Sequence, residues 1–508
     1  MARCWTCRKR RLKCDGGVPH CQKCWGHGVV CLGYQKPLTW VEGVARRGPM
    51  KNRTFGSSAE QQPPRNHQEE ALAIAITSGS IPLTPTESLF QDLDSASRFF
   101  VDYFSKRVCP TLVVQDRPDN HYRRTITCVS SPVVASAIVT VAACHYIQSQ
   151  TGCPLFQQAL VLRNNPVGSG LSREAVFKYY LKSKGKCLKL ISAALAQHHS
   201  ESGDSAILIA VVLLTILDMF ESGSGAWSLH LEGAQKLLNA GIMAGTSEWD
   251  SVARKLLHGA AVFQTFGSSL AKPGALISES TLPTVWTEGS WSITPIGCPV
   301  EILATVEVFA SQRRLDSILT APVADGHILT DALHRIRSYD IPAWAARTMT
   351  TDAAVPYEDL VYLGTIWKLS ADMYACCFLR SSSQNTSRLL EPPSVQALMV
   401  EYSFFEQKND AVIRCLIWPT FVAGAASTSP EERAWVLRTL ERIWNFGHCA
   451  NTRSAKKVLE TLWEKHDREK MRSSQGRLRE GAEPLAGDFV GWDWIKELSQ
   501  LKGSWLFI

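Results

Sequence analysis

Residues 4–31 read CWTCRKRRLKCDGGVPHCQKCWGHGVVC, six cysteines in the pattern C-x2-C-x6-C-x6-C-x2-C-x6-C. The pattern repeats internally: Cys4, Cys7 and Cys14 form one C-x2-C-x6-C half, and Cys21, Cys24 and Cys31 form the other. A Cys-x2-Cys pair at a turn entering a helix lets both thiolates point at one metal, a spacing that recurs in structural zinc sites. Each tetrahedral zinc takes four sulfurs, so six cysteines satisfy two ions only if two thiolates each serve both metals. A single four-cysteine zinc would leave two cysteines at matched spacing unexplained. Three disulfides would suit a small secreted scaffold. The first fourteen residues, however, carry Arg3, Arg8, Lys9, Arg10, Arg11 and Lys13, with no apolar stretch before a cleavage site. The two-zinc reading is therefore the expectation, in a soluble intracellular chain whose thiols stay reduced.

Charge points the same way. The chain of 508 residues carries +7, yet residues 1–53 hold twelve Lys/Arg against only Asp15 and Glu42, a local +10 that leaves −3 for the other 455. A basic head on a faintly acidic body suggests that one end meets a polyanion. Basic N-termini are also common as plain solvated tails, so charge alone decides little. Two zincs and six thiolates sum to −2, so the metallated head keeps about +8 and favours salt-dependent association with a phosphate backbone.

The stretch from Cys4 to Cys31 resembles the fungal Zn2Cys6 binuclear cluster module of transcription factors, with a basic run between the second and third cysteines. Asp15 directly after the third cysteine and Pro19 two before the fourth match that family as well. The resemblance implies two Zn2+ per chain, with Cys4 and Cys21 as the bridging ligands, and a pseudo-twofold pair of short helices, one after each Cys-x2-Cys. It implies that Arg10 and Arg11 read the bases of a CGG triplet in the major groove of double-stranded DNA, with Arg11 the foremost. It also implies that Arg8, Lys13 and Lys23 touch phosphate. Arginine suits the first task because its fork can grip guanine O6 and N7 together, whereas phosphate contacts position a module without specifying sequence. Gly26 departs from the family, and with Gly28 it weakens the second helix intrinsically, so that zinc must hold it. The same basic run would also serve as a nuclear import signal. Trp5 and Trp25 are read as shields of the cluster.

After Cys31, Gly33, Tyr34, Leu38 and Trp40 resemble the family branch that carries the second type of fungal-specific transcription factor domain. Arg46, Arg47, Lys51 and Arg53 form a second basic patch, and FGSSAEQQPPRNHQ at 55–68 reads as a flexible tether. No apolar heptad persists past the cluster and Pro63–Pro64 interrupts the span, which argues against a coiled-coil dimer there. From about Thr86 the pattern turns helical, with three- and four-residue apolar spacing in 86–107, 131–149, 172–199, 204–221, 226–240, 248–270, 300–318, 357–380, 429–446 and 453–470. The organisation expected is a metal-stabilised module over 1–34, a basic then flexible linker over 35–85, and a large all-α regulatory domain over 86–508. The run from Ala206 to Phe220 is broken by Thr215 and Asp218 and is too short for a bilayer, so a buried helix is the reading, with no membrane partner.

No P-loop, His-Glu-x2-His helix or Gly-x-Ser-x-Gly elbow is found, so no catalysis is expected. His198–His199 would diverge on a helix, and the sixteen tryptophans suit core packing better than a ligand pocket. The resemblance implies a nuclear regulator of RNA polymerase II genes, commonly of a metabolic or biosynthetic set, whose helical body could bind a small-molecule inducer or a co-regulator protein. The competing reading is a metabolite-binding or enzymatic helical protein that uses the zinc module as a scaffold.

Overall fold

A computed structural model of the chain divides it into two units, 1–67 and 68–508. It describes residues 4, 6–7, 10, 12–17, 21–27, 29, 31, 43–44 and 54–55 of the first unit. In the second it describes 93–155, 173–196, 204–239, 248–274, 276, 293–315, 326–351, 355–382, 391–408, 410–479 and 492–508. The expectations for Arg8, Arg11, Trp5, the tether, the second basic patch and His198–His199 lie outside the described residues.

The described part of the first unit contains helix α1 (Gln22–Gly26) and the antiparallel pairing of β1 (Gly43–Val44) with β2 (Thr54–Phe55). Its buried residues are cysteines: Cys4, Cys7, Cys14, Cys21 and Cys24, with Val29 and Cys31 packed against them. Among the described residues the sulfurs take the place of an apolar core, as suits so small a unit.

The second unit is helical. In its first half come α2 (Ser95–Tyr103), α3 (His121–Arg124), α4 (Pro132–Thr151), α5 (Arg173–Ala196), α6 (Asp204–Glu221), α7 (Trp227–Asn239) and α8 (Glu248–Leu270). The second half holds α9 (Val300–Leu315), α10 (Gly326–Ser338), α11 (Ile341–Thr351), α12 (Tyr357–Ser382), α13 (Val395–Lys408), α14 (Ile417–Ala426), α15 (Pro430–Gly447), α16 (Asn451–Arg479) and α17 (Trp494–Gln500). Helices that are apolar all round must lie inside others, and α4, α6 and α14 are of this kind. α4 packs against α2, α5 and α6; α6 packs against α7 and α8; α12 gathers α9, α10, α11, α13, α14 and α17 around it. Pro132–Thr151 has the length and hydropathy of a membrane span, but it is largely buried inside this bundle.

Local signals set the helix ends. The Asp94 carboxylate accepts from Ser97 N–H to start α2, and Ser429 and Glu432 close a reciprocal capping box at the start of α15. The main core runs from Phe99 to Ile508, and a smaller cluster gathers Ile341, Trp344, Ala345, Val355 and Leu360. Trp227, Trp344, Trp367, Trp418 and Trp444 are fully buried in this unit, as core packing requires. Trp418 Nε1 donates to Ser269 Oγ at 2.9 Å, and its ring stacks on Trp367 with centroids 6.0 Å apart. The last residues close the core: Leu506 N–H donates to Gly223 O at 2.7 Å, Trp227 Nε1 to Ser504 O at 3.0 Å, and Asn451 Nδ2 to Ile508 O at 2.9 Å. Gly223 has φ +63°, and a Cβ there would run into Asn451 and the Leu506 carbonyl, so only glycine fits this joint.

Candidate metal centre and nucleic-acid interface

The sulfurs of Cys4, Cys7, Cys14 and Cys21 lie within 4.8 Å of one another, and so do those of Cys4, Cys21, Cys24 and Cys31. Cys4 and Cys21 are common to both sets. Sulfur separations are 3.6 Å for Cys4–Cys21 and Cys7–Cys21, and 3.8 Å for Cys4–Cys24 and Cys7–Cys24. Disulfide bonds are near 2.05 Å, so these are free thiols in contact. Four sulfurs each about 2.3 Å from one zinc stand about 3.8 Å apart at tetrahedral angles. The donor set therefore fits the ion in element, number and spacing.

The backbone repeats with the cysteines. Cys7 N–H points at Cys4 Sγ at 3.3 Å, and Cys24 N–H points at Cys21 Sγ at 3.3 Å. Leu12 N–H donates to Cys7 O at 2.9 Å, and seventeen positions on, Val29 N–H donates to Cys24 O at 3.1 Å. Each half thus turns its chain around its first two sulfurs in the same way. Such N–H groups favour thiolate over thiol. Burial acts in the opposite direction: it pushes the Cys4 thiol up to about 12 and raises Cys7 and Cys21 too. A nearby cation is what would hold these sulfurs deprotonated together.

Asp15 is the residue whose role the sequence reading left unassigned. Its carboxylate accepts from Gln22 N–H at 2.9 Å, Lys23 N–H at 3.2 Å and Gly17 N–H at 3.3 Å. These bonds, led by that from Gln22, hold its carboxyl below the usual range. Asp15 sits beside Cys14 in the first half and caps α1 in the second, tying the halves together. The one signal was its place directly after a ligand cysteine. α1 ends at Gly26, where the sequence predicts weakness.

Of the five cations expected to meet DNA, Arg10, Lys13 and Lys23 are described, and all three are exposed. Arg10 N–H donates to Thr6 O at 3.0 Å, continuing the helical turn at Thr6–Cys7. Lys23 stands in the first turn of α1, and Lys13 precedes Cys14 directly.

A compact cysteine-held, cation-bearing head joined to a large helical body is the plan of a zinc-dependent DNA-binding regulator. Two family models match the chain: the fungal Zn(2)-Cys(6) binuclear cluster domain over residues 3–41 and the fungal specific transcription factor domain over residues 98–508. The chain belongs to this family of fungal Zn2Cys6 transcription factors; it binds zinc and DNA and regulates transcription, and is not an enzyme. It is similar to the acriflavine sensitivity control protein acr-2 of Neurospora crassa, 21% identical with 99% of this chain and 96% of that one covered. The phomenoic acid biosynthesis cluster-specific transcriptional regulator of Leptosphaeria maculans is 22% identical, covering 91% and 85%. Arginine metabolism regulation protein II of Saccharomyces cerevisiae is 39% identical over 61 residues, 12% of this chain and 6% of that one. No solved structure matches.

Proposed function

We propose that the chain is a nuclear, sequence-specific regulator of a biosynthetic or metabolic gene set that reads CGG triplets through a two-zinc head. The observation that carries this is the pair of four-sulfur sets sharing Cys4 and Cys21. Cys4, Cys7, Cys14 and Cys21 hold one zinc, Cys4, Cys21, Cys24 and Cys31 hold the other, and Cys4 and Cys21 bridge. Zinc supplies the positive charge that keeps these buried sulfurs as thiolates and cross-links two halves too small to fold alone. Arg10 and Arg11 reach base edges, while Arg8, Lys13 and Lys23 grip phosphate. The head spans 1–34, a linker 35–85, and the regulatory body 86–508. The relative named for the phomenoic acid biosynthesis cluster supports the biosynthetic setting.

Fluorescence anisotropy with CGG-containing and scrambled duplexes, with and without chelator, tests the reading. Binding should prefer CGG and vanish on zinc removal; unchanged binding after chelation would overturn it. Arg11→Ala should cost about 1–3 kcal/mol on CGG alone, whereas Arg8→Ala should weaken every duplex alike. Equal, sequence-blind losses from both would remove the base-reading assignment.

A further inference from the structure

Helix α5 buries one side, at Val176, Tyr180, Ser183, Cys187 and Ile191, and presents the other to solvent. That outer side is not polar throughout. Leu181, Leu188 and Leu195 are 51%, 44% and 44% exposed, three leucines at strict seven-residue spacing. Gly185 and Ser192 fall between them, so the line 181–185–188–192–195 alternates steps of four and three, the register of a helix-docking seam.

Gly185 is the telling residue. Several other glycines inside helices of this unit have a packing reason: a Cβ at Gly259 would strike Tyr122, at Gly267 Trp227, and at Gly424 Leu459 and Val436, whereas Gly233 has room for one. A Cβ at Gly185 would meet nothing within 4 Å. Glycine is a poor helix-interior residue, and among the described residues nothing uses the space it leaves. Between two exposed leucines that space is a hole into which another helix can set a side chain.

Charge selects the occupant. From Ala175 to Ala196 the helix carries Lys178, Lys182, Lys184, Lys186 and Lys189 and no acidic residue. Lys184 pairs with Glu221 at 2.6 Å, and Lys186 and Lys189 lie on the exposed side, along one edge of the seam. A second copy of α5 would set lysine against lysine. We propose that the outer face of α5 docks an amphipathic helix of a partner protein whose apolar stripe is flanked by acidic residues. This deepens the reading of the helical body as a regulatory platform and rests on it, but it needs neither zinc nor DNA.

The test uses the full chain and two synthetic helical peptides with leucines at heptad spacing, one flanked by glutamates and one by lysines, each followed by fluorescence anisotropy. The glutamate peptide should bind at least about tenfold more tightly than the lysine peptide, and less tightly as salt rises. Leu188→Glu and Gly185→Leu should each weaken it at least about tenfold. Gly185→Leu adds helix propensity in open space, so its melting temperature should hold or rise while binding falls. CGG-duplex binding, measured on the same samples, should be unchanged, which separates this proposal from the DNA reading. Equal binding of both peptides, or binding indifferent to both α5 variants, would overturn it. A dimer in sedimentation that Leu188→Glu splits would assign the face to a second copy instead.

Discussion

Among the described residues of the head, the buried ones are Cys4, Cys7, Cys14, Cys21 and Cys24, and their sulfurs lie close together. In the body, Cys109, Cys128, Cys144, Cys187, Cys298, Cys376, Cys415 and Cys449 are just as buried, yet they are dispersed through a core of tryptophan, phenylalanine and leucine. There the sulfur behaves as a small apolar group with a weak donor: Cys449 Sγ reaches Met219 O at 3.2 Å and Cys298 Sγ reaches Pro299 O at 3.4 Å. Burial therefore does not distinguish a ligand cysteine from a structural one. Proximity to other sulfurs does, and so does the material around it: among the described residues of the head there is no apolar core beyond the cysteines and Val29, whereas the body has a large one.

That contrast can be attacked from both sides. The largest effect belongs to Cys21→Ser, which removes a sulfur common to both four-sulfur sets: zinc content should collapse and DNA affinity fall at least about 100-fold, while the helical circular dichroism of the body persists. A variant that keeps full zinc would break the comparison. Trp418→Ala should do the reverse, costing the body about 3–5 kcal/mol in denaturant unfolding and leaving zinc stoichiometry untouched.

Acid should also act on the body. Burial pulls His121 and His145 down to about 3 in the folded state, from an ordinary value near 6.5. At these two sites the unfolded chain therefore binds more protons below about pH 6.5, and their share of folded stability falls as pH falls; Glu221, which burial raises to about 7, acts in the opposite direction. Between pH 7.5 and 5.5 each histidine should cost about 1.4 kcal/mol, and His145→Gln should flatten its share; an identical slope in that variant would exclude the histidine as the source. Asp15→Ala removes the tie between the halves and should lower zinc affinity on the order of tenfold in a chelator competition, with no change in the body's melt. The smallest effect is expected of Cys449→Ser, about 1 kcal/mol of body stability, because the hydroxyl can still donate to Met219 O. Loss of zinc in that variant would show that the two cysteine classes are not separate.

The head was legible because metal ligation leaves a spacing that composition alone cannot mimic. The helices with periodic apolar faces were legible too: the expected spans 204–221 and 248–270 coincide with α6 and α8, and 131–149 with most of α4. Of those missed, three lack such a face or hide it, and two carry it. α14 is apolar at nearly every position, so it offers no period to detect. α11 opens with Pro342 and is rich in alanine and threonine, and α17 is seven residues long. α10 does carry the signal, with Leu329, Ala332, Leu333 and Ile336 buried at helical spacing, as does α13 with Val395, Leu398, Tyr402 and Phe405. Asp15 escaped because its partners, Gln22 and Lys23, are backbone groups on the far side of a turn, and no side-chain pattern announces them.

The joint at Gly223 has a bearing on how the protein is made. Trp227 finds its acceptor 277 positions later, at Ser504, and the carbonyl of Gly223 finds its donor at Leu506. On a ribosome the body must wait, with α6 and α7 already synthesised and their apolar surfaces uncovered, until the last of these residues emerges. A nascent chain stalled short of residue 504 would hold an open core, a natural client for chaperones and a point at which abundance of the regulator could be set before it ever meets a promoter.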